Sequence, residues 1–155
     1  MTRKFDRFIP NNEEFELKNS PFYWISQVNN MYTQNLDRML KPYGLDNSRR
    51  RILTSLKYHP DASISDLSEF IVIQMSTTTK IIYRLKEEGL VDTYSCPEDG
   101  RITRAKLTER GSDMVERINQ ATNAILSQYF RGLTPSQIEK TNDVLKMIFN
   151  NCRAY

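Results

Sequence analysis

A turn sequence, Cys96-Pro97-Glu98-Asp99-Gly100-Arg101, separates two short segments rich in Val, Tyr, Thr and Ile, whereas most other apolar residues of the chain recur at helical spacing. Leu90 to Ser95 and Ile102 to Leu107 are therefore expected to pair as a β-hairpin around the Asp99-Gly100 turn. The expected fold is mainly α with one small β-ribbon.

Ser20-Pro21 opens a first helix with Pro in its first turn, and Phe22, Ile25, Val28, Tyr32, Leu36, Met39 and Leu40 give it one apolar stripe. Pro42 and Gly44 end it. Asp46 caps a second helix carrying Ile52, Leu53 and Leu56, which His59-Pro60-Asp61 breaks. Ser63-Ile64-Ser65-Asp66 has the capping-box form: a hydroxyl takes one free amide and a carboxylate three residues on takes another. A third short helix should run from there to about Ile71. Met75 to Glu88 reads as a fourth, with Thr78, Ile81, Ile82 and Leu85 on one face and Gly89 at its end. Beyond the hairpin, Thr108 to Arg131 is a long helix with Met114, Ile118, Ala121, Ile125 and Tyr129 on one side, stopped by Gly132. Thr134-Pro135-Ser136-Gln137 caps a last helix bearing Ile138, Leu145, Ile148, Phe149 and Cys152.

Length and composition narrow the function. At 155 residues one domain is expected, residues 20–155, preceded by a polar arm, residues 1–19. The longest apolar run, Phe70-Ile71-Val72-Ile73, is far short of a membrane span, and the N-terminus has no secretory pattern, so the cytoplasm is the expected location. Cys96 and Cys152 then read as reduced thiols, with redox sensing by Cys96 as the alternative. His59 is the only histidine, and no nucleophile motif, Cys-x-x-Cys pair or Gly-rich loop accompanies it. An enzyme, a cofactor and a metal site are not expected. The balance of 22 Lys+Arg against 19 Asp+Glu, +3, is too small to prove a nucleic-acid partner, so the placement of charge must decide.

The order of four helices, hairpin and two helices puts a β-wing directly after a short helix pair, the winged helix-turn-helix plan. On the fourth helix, steps of about 100° set Ser76, Lys80, Tyr83 and Arg84 opposite the Thr78, Ile82 and Leu85 stripe, with Thr77 and Thr79 at the flanks. Small hydroxyls near the helix start and Lys80 can reach base edges or phosphates, while Tyr83 and Arg84 suit the DNA backbone. The competing reading is a solvated helix face. Arg101 at the hairpin tip can enter the electronegative minor groove, with Arg104 and Lys106 behind it and Asp99 available to fix the wing through an Arg. The competing reading there is a solubilising turn. A winged helix that binds protein rather than DNA is the remaining option.

Asp99-Gly100-Arg101, then five residues to Leu107-Thr108, then Gly111 resembles the D-x-R wing and L-T-x-x-G of the multiple-antibiotic-resistance regulator (MarR) family. Leu67-Ser68-Glu69, Ser76-Thr77-Thr78-Thr79-Lys80 and Arg84-Leu85 running into Gly89-Leu90-Val91 resemble that family's recognition segment. The likeness covers roughly residues 20–152. It implies a homodimer formed through helices at about 20–41 and 109–152, a DNA-binding lobe at about 46–108, a pseudo-palindromic operator, and repression relieved by a small ligand held between interface and lobe. Two departures stand out: Val72 occupies a place where the family often has Gly, and Gln74-Met75 replaces a commoner Asp-Pro. Within Ser48-Arg49-Arg50-Arg51, Arg50 falls where the family usually has an apolar residue near its pocket. Arg49 and Arg50, with the aromatic residues Trp24 and Tyr32, are the expected ligand contacts; they would suit an anionic aromatic acid or its thioester. Pairing with Asp or Glu, or with DNA phosphate, is the alternative for these arginines.

Overall fold

The computed structural model describes residues 5–10 and 13–154. Part of the expected arm, residues 1–4, 11 and 12, therefore lies outside the described residues; the rest holds short 3₁₀ turns at Asp6–Phe8 and Leu17–Asn19. Helix α1 spans Pro21–Leu40, α2 Asn47–Tyr58, α3 Ile64–Phe70 and α4 Met75–Glu87. Strands β1, Val91–Ser95, and β2, Thr103–Leu107, follow, and then α5, Glu109–Tyr129, and α6, Pro135–Arg153. No helix among the described residues is long and apolar enough to cross a membrane.

The caps read from sequence form as expected. Asp46 accepts from the Arg49 amide at 2.8 Å, which starts α2. The α3 box closes both ways: Ser63 Oγ accepts from the Asp66 amide at 3.0 Å, and Asp66 Oδ2 accepts from the Ser63 amide at 3.1 Å. Thr134 and Gln137 repeat the arrangement at α6. The hairpin is antiparallel, with Val91 opposite Leu107 and Ser95 opposite Thr103. The segment leading into α3 extends it, because the Ala105 amide donates to the Ala62 carbonyl at 3.0 Å.

The chain divides within α5 into two units, residues 1–119 and 120–155. In the first, Leu36 and Leu40 of α1, Ile52, Leu53 and Leu56 of α2, Leu67 of α3, Ile82 and Leu85 of α4, Val91 of β1, and Val115 and Ile118 of α5 are fully buried. Each such side chain contributes about 1.5–3 kcal/mol. In the second unit, α6 buries none of its described side chains.

Two backbone features explain the residues that drew attention in the sequence. Thr108 Oγ1 donates to the Gly89 carbonyl at 2.8 Å and accepts from the Gly111 amide at 3.0 Å, which seats the start of α5 on the end of α4. A Cβ at Gly111 would overlap the Leu90 carbonyl oxygen, so the last residue of L-T-x-x-G has to be glycine. Val72 adopts φ +51°, a left-handed conformation costly for a β-branched residue; it closes α3 as its amide donates to Glu69 and the Ile73 amide to Ser68.

Candidate nucleic-acid interface

Helix α4 is amphipathic, and its two faces separate as the helical spacing predicts. Thr78, Ile82 and Leu85 are buried, whereas Ser76, Thr77, Lys80, Tyr83 and Arg84 are exposed. Thr79 is half-buried and donates its hydroxyl to the Met75 carbonyl at 2.8 Å, so that hydroxyl is already engaged within the helix. At the other end of α4, Lys86 Nζ meets Thr93 Oγ1 at 2.8 Å, tying the helix to β1.

The wing tip is a preformed clamp. Asp99 accepts from Arg101 Nε at 3.0 Å, from Arg101 Nη2 at 2.8 Å and from the Arg101 amide at 3.0 Å. This pairing holds the Asp99 carboxyl below the usual carboxylate range and raises the Arg101 guanidinium. Yet the Arg101 side chain stays 90% exposed, a cation fixed in direction but open to an anion.

Arg104 is placed differently from its neighbour. Its Nε donates to Cys96 Sγ at 3.2 Å and its Nη1 to the Asp61 carbonyl at 2.9 Å. Asp61 in turn accepts from Tyr94 Oη at 2.7 Å, and the Cys96 thiol donates to Glu98 at 2.8 Å, holding that carboxyl low. Arg104 thus braces the base of the wing against the loop after α2. Cys96 is a buried part of that brace, and Cys152 lies exposed on α6.

The residues expected at a ligand site divide into two groups. Arg50 lies near Tyr32 and Asp37, which favour its charge, while burial and Arg51 oppose it; burial is the largest effect and lowers its pKa. Its Nε donates to Asn47 Oδ1 at 3.1 Å. Arg49 is only 5% exposed, with Nη1 donating to the Gly44 carbonyl and Nη2 paired with Glu88. Of the alternatives for these arginines, pairing with an acid is the arrangement Arg49 adopts. Trp24, half-exposed on α1, donates its indole N–H to the Lys18 carbonyl at 2.8 Å and packs edge-on against Tyr23.

Glu88 was not among the residues singled out from sequence. Its carboxylate serves Arg49 of α2 and, at 3.5 Å, Arg84 of the exposed α4 face. The i,i+4 spacing to Arg84 was visible in the sequence; the link to Arg49, far away along the chain, was not.

Comparison with known proteins meets this geometry. Residues 45–103, which run from α2 through β1 to the wing tip, match the MarR family. The chain is 42% identical to the HTH-type transcriptional repressor IacR of Pseudomonas putida, over 92% of this chain and 85% of that one. Its fold is similar to that of a MarR-family transcriptional regulator from Silicibacter pomeroyi, with a TM-score of 0.83 and 25% identity over 92% of this chain and 96% of that one. It is also similar to CouR of Rhodococcus jostii bound to p-coumaroyl-CoA, with a TM-score of 0.78 and 21% identity over 86% and 94% of the two chains. With a winged helix-turn-helix built from its own caps and core, and a relative this similar along nearly its whole length, the chain belongs to the MarR family of transcriptional regulators.

Proposed function

We propose that the chain is a ligand-released repressor that binds a pseudo-palindromic DNA operator as a homodimer in the cytoplasm. The observation that carries the reading is the pairing of two outward features: the α4 face with Ser76, Thr77, Lys80, Tyr83 and Arg84, and the clamped, exposed Arg101 at the wing tip. Helix α4 enters the major groove, where Thr77 and Lys80 address bases and Arg84 the backbone, and Arg101 enters the adjacent minor groove. Arg104 acts from behind as the support of the wing. The similarity to the repressor IacR supports the regulatory role.

A second copy is supported by apolar side chains left exposed on α1, among them Phe22, Ile25 and Val28, and on α6, among them Leu145, Met147 and Phe149. Such a dimer sets its two α4 helices about 34 Å apart, one turn of duplex.

The effector is an anionic aromatic compound or its thioester, held by Arg50 beside Tyr32, with Arg49 linking that neighbourhood to α4 through Glu88. A fold of this kind holds p-coumaroyl-CoA in CouR, which supports the chemical class. For release by tenfold, the ligand must favour the DNA-free arrangement by about 1.4 kcal/mol.

A labelled duplex from the intergenic DNA beside the gene, titrated with the protein at several salt concentrations, tests the reading. Tight, salt-dependent binding by a dimer is expected, with dissociation on adding an aromatic acid or its thioester. A monomer at micromolar concentration that ignores duplex DNA would overturn it. A complex that no anionic aromatic dissociates, or that responds equally in Arg50→Ala, would remove the effector assignment alone.

A further inference from the structure

One carboxylate oxygen stands between the interior of the lobe and its proposed DNA face. Glu88 Oε1 meets Nη2 of Arg49, on α2, and Nε of Arg84, on α4, the latter at 3.5 Å. Side-chain exposure rises along this line from 6% at Arg49 through 37% at Glu88 to 69% at Arg84. On its inner side the line continues to the turn between α1 and α2, because Arg49 Nη1 donates to the Gly44 carbonyl. Helix stability does not account for the acid: Glu88 is the C-cap of α4, where the helix dipole disfavours a negative charge. Lys86, the other cation of that last turn, goes to Thr93 instead. The two arginines do not hold the oxygen equally. Arg49 is buried, its Nε makes no hydrogen bond among the described residues, and loss of the carboxylate would leave its charge uncompensated. Arg84 stands at the solvent edge, where an ion pair contributes little and a phosphate oxygen can replace it.

We propose that Glu88 is a positioning residue for DNA binding, acting through Arg84 and itself controlled by Arg49, an inference that rests on the DNA-binding reading above. While Arg49 occupies Oε1, Arg84 is held weakly and is available to a phosphate. When Arg49 is drawn away, the carboxylate falls to Arg84 alone, and the duplex must compete for that cation. The coupling is reciprocal: a duplex that takes Arg84 leaves Glu88 to Arg49, which tightens the line back to Gly44. A buried arginine that touches no DNA thus sets the strength of a backbone contact on the opposite side of the carboxylate.

Fluorescence anisotropy with the full-length protein measures affinity for a duplex of the intergenic DNA beside the gene and for one of scrambled sequence. Arg49→Gln should weaken both by about two- to fivefold, the effect of one partly exposed ion pair, and Glu88→Gln should tighten both by about the same factor. The double substitution Arg49→Gln with Glu88→Gln keeps the net charge and leaves no buried charge unpaired, so it decides the matter even where Glu88→Gln alone fails to fold. It should bind as tightly as Glu88→Gln. In an Arg84→Ala background all three effects should vanish, which neither a general charge effect nor a loss of stability would produce. If they persist without Arg84, or if Arg49→Gln and the double variant both bind as the parent does, the inference is overturned while DNA binding stands. If the parent binds neither duplex, the DNA-binding reading falls, and this one with it.

Discussion

Helices α4 and α6 obey the same local rules and end in different circumstances. Both are amphipathic, and both start where the sequence indicates. Helix α4 closes Thr78, Ile82 and Leu85 against neighbours in its own unit, whereas α6, although longer, buries none of its described residues and leaves Val144, Leu145, Met147 and Phe149 exposed. An apolar stripe records that a helix needs cover; it does not say whether the cover comes from the same chain. In α4 the stripe is satisfied internally, which frees the opposite face for a ligand. In α6 the stripe itself is the surface on offer, and a second copy is the cover proposed for it.

Substitutions can break or sharpen that contrast. Ile82→Ala should lower unfolding stability most, by about 2–5 kcal/mol in denaturant titration, and by the same amount at every protein concentration. A concentration-dependent loss would mean that α4 is not closed by its own chain. Phe149→Ala should do the reverse: sedimentation equilibrium should show dimerisation weakened by about 2 kcal/mol, the size expected of a central aromatic contact, with the secondary structure intact. Arg101→Ala should keep dimer and fold but lose about 1–3 kcal/mol of duplex affinity by fluorescence anisotropy. Val72→Gly should raise thermal stability by about 1 kcal/mol, since relief of the left-handed valine outweighs the added freedom of the unfolded chain.

The smallest effect concerns pH. Asp99 is held below its ordinary value by Arg101, so the clamp is present above the unfolded carboxyl's range and is lost as pH falls through the lowered value. Duplex affinity measured from about pH 5 to 8 should therefore show no step from the wing. A step in that interval, abolished by Asp99→Asn, would mean that the clamp is weaker than its geometry indicates.

Spacing and caps made most of the fold legible. The α3 capping box, the Asp46 cap and the Asp99-Gly100 turn are local features, written within a few residues and decided by bonds within those residues. The elements consequently end within about two residues of where periodicity puts them. The exposed face of α4 was legible for the same reason. The contacts of Arg104 were not: its basic character on a wing strand is local, but its bonds to Cys96 and Asp61 come only with the fold. Arg49 reads as inward-facing, which it is, but its partner Glu88 reaches it only through tertiary packing of α2 against α4. Gly111 was recognisable as part of a motif, while the reason for it, the Leu90 carbonyl, belongs to the fold.

Gly111 also decides where this molecule can bend. The segment before the wing and α5 meet there main chain to main chain, with Thr108 bonded to both sides of the junction and the Leu107 side chain packed beside it. Such a joint transmits rotation without absorbing it: the first turns of α5 move as a lever rigidly fixed to the lobe that carries α4. The 3₁₀ turn Lys41–Tyr43 and left-handed Gly44 join α1 to α2, and the Gly44 carbonyl receives the Arg49 side chain, whose other nitrogen is held by Glu88, so a displacement of that turn is felt at the end of α4.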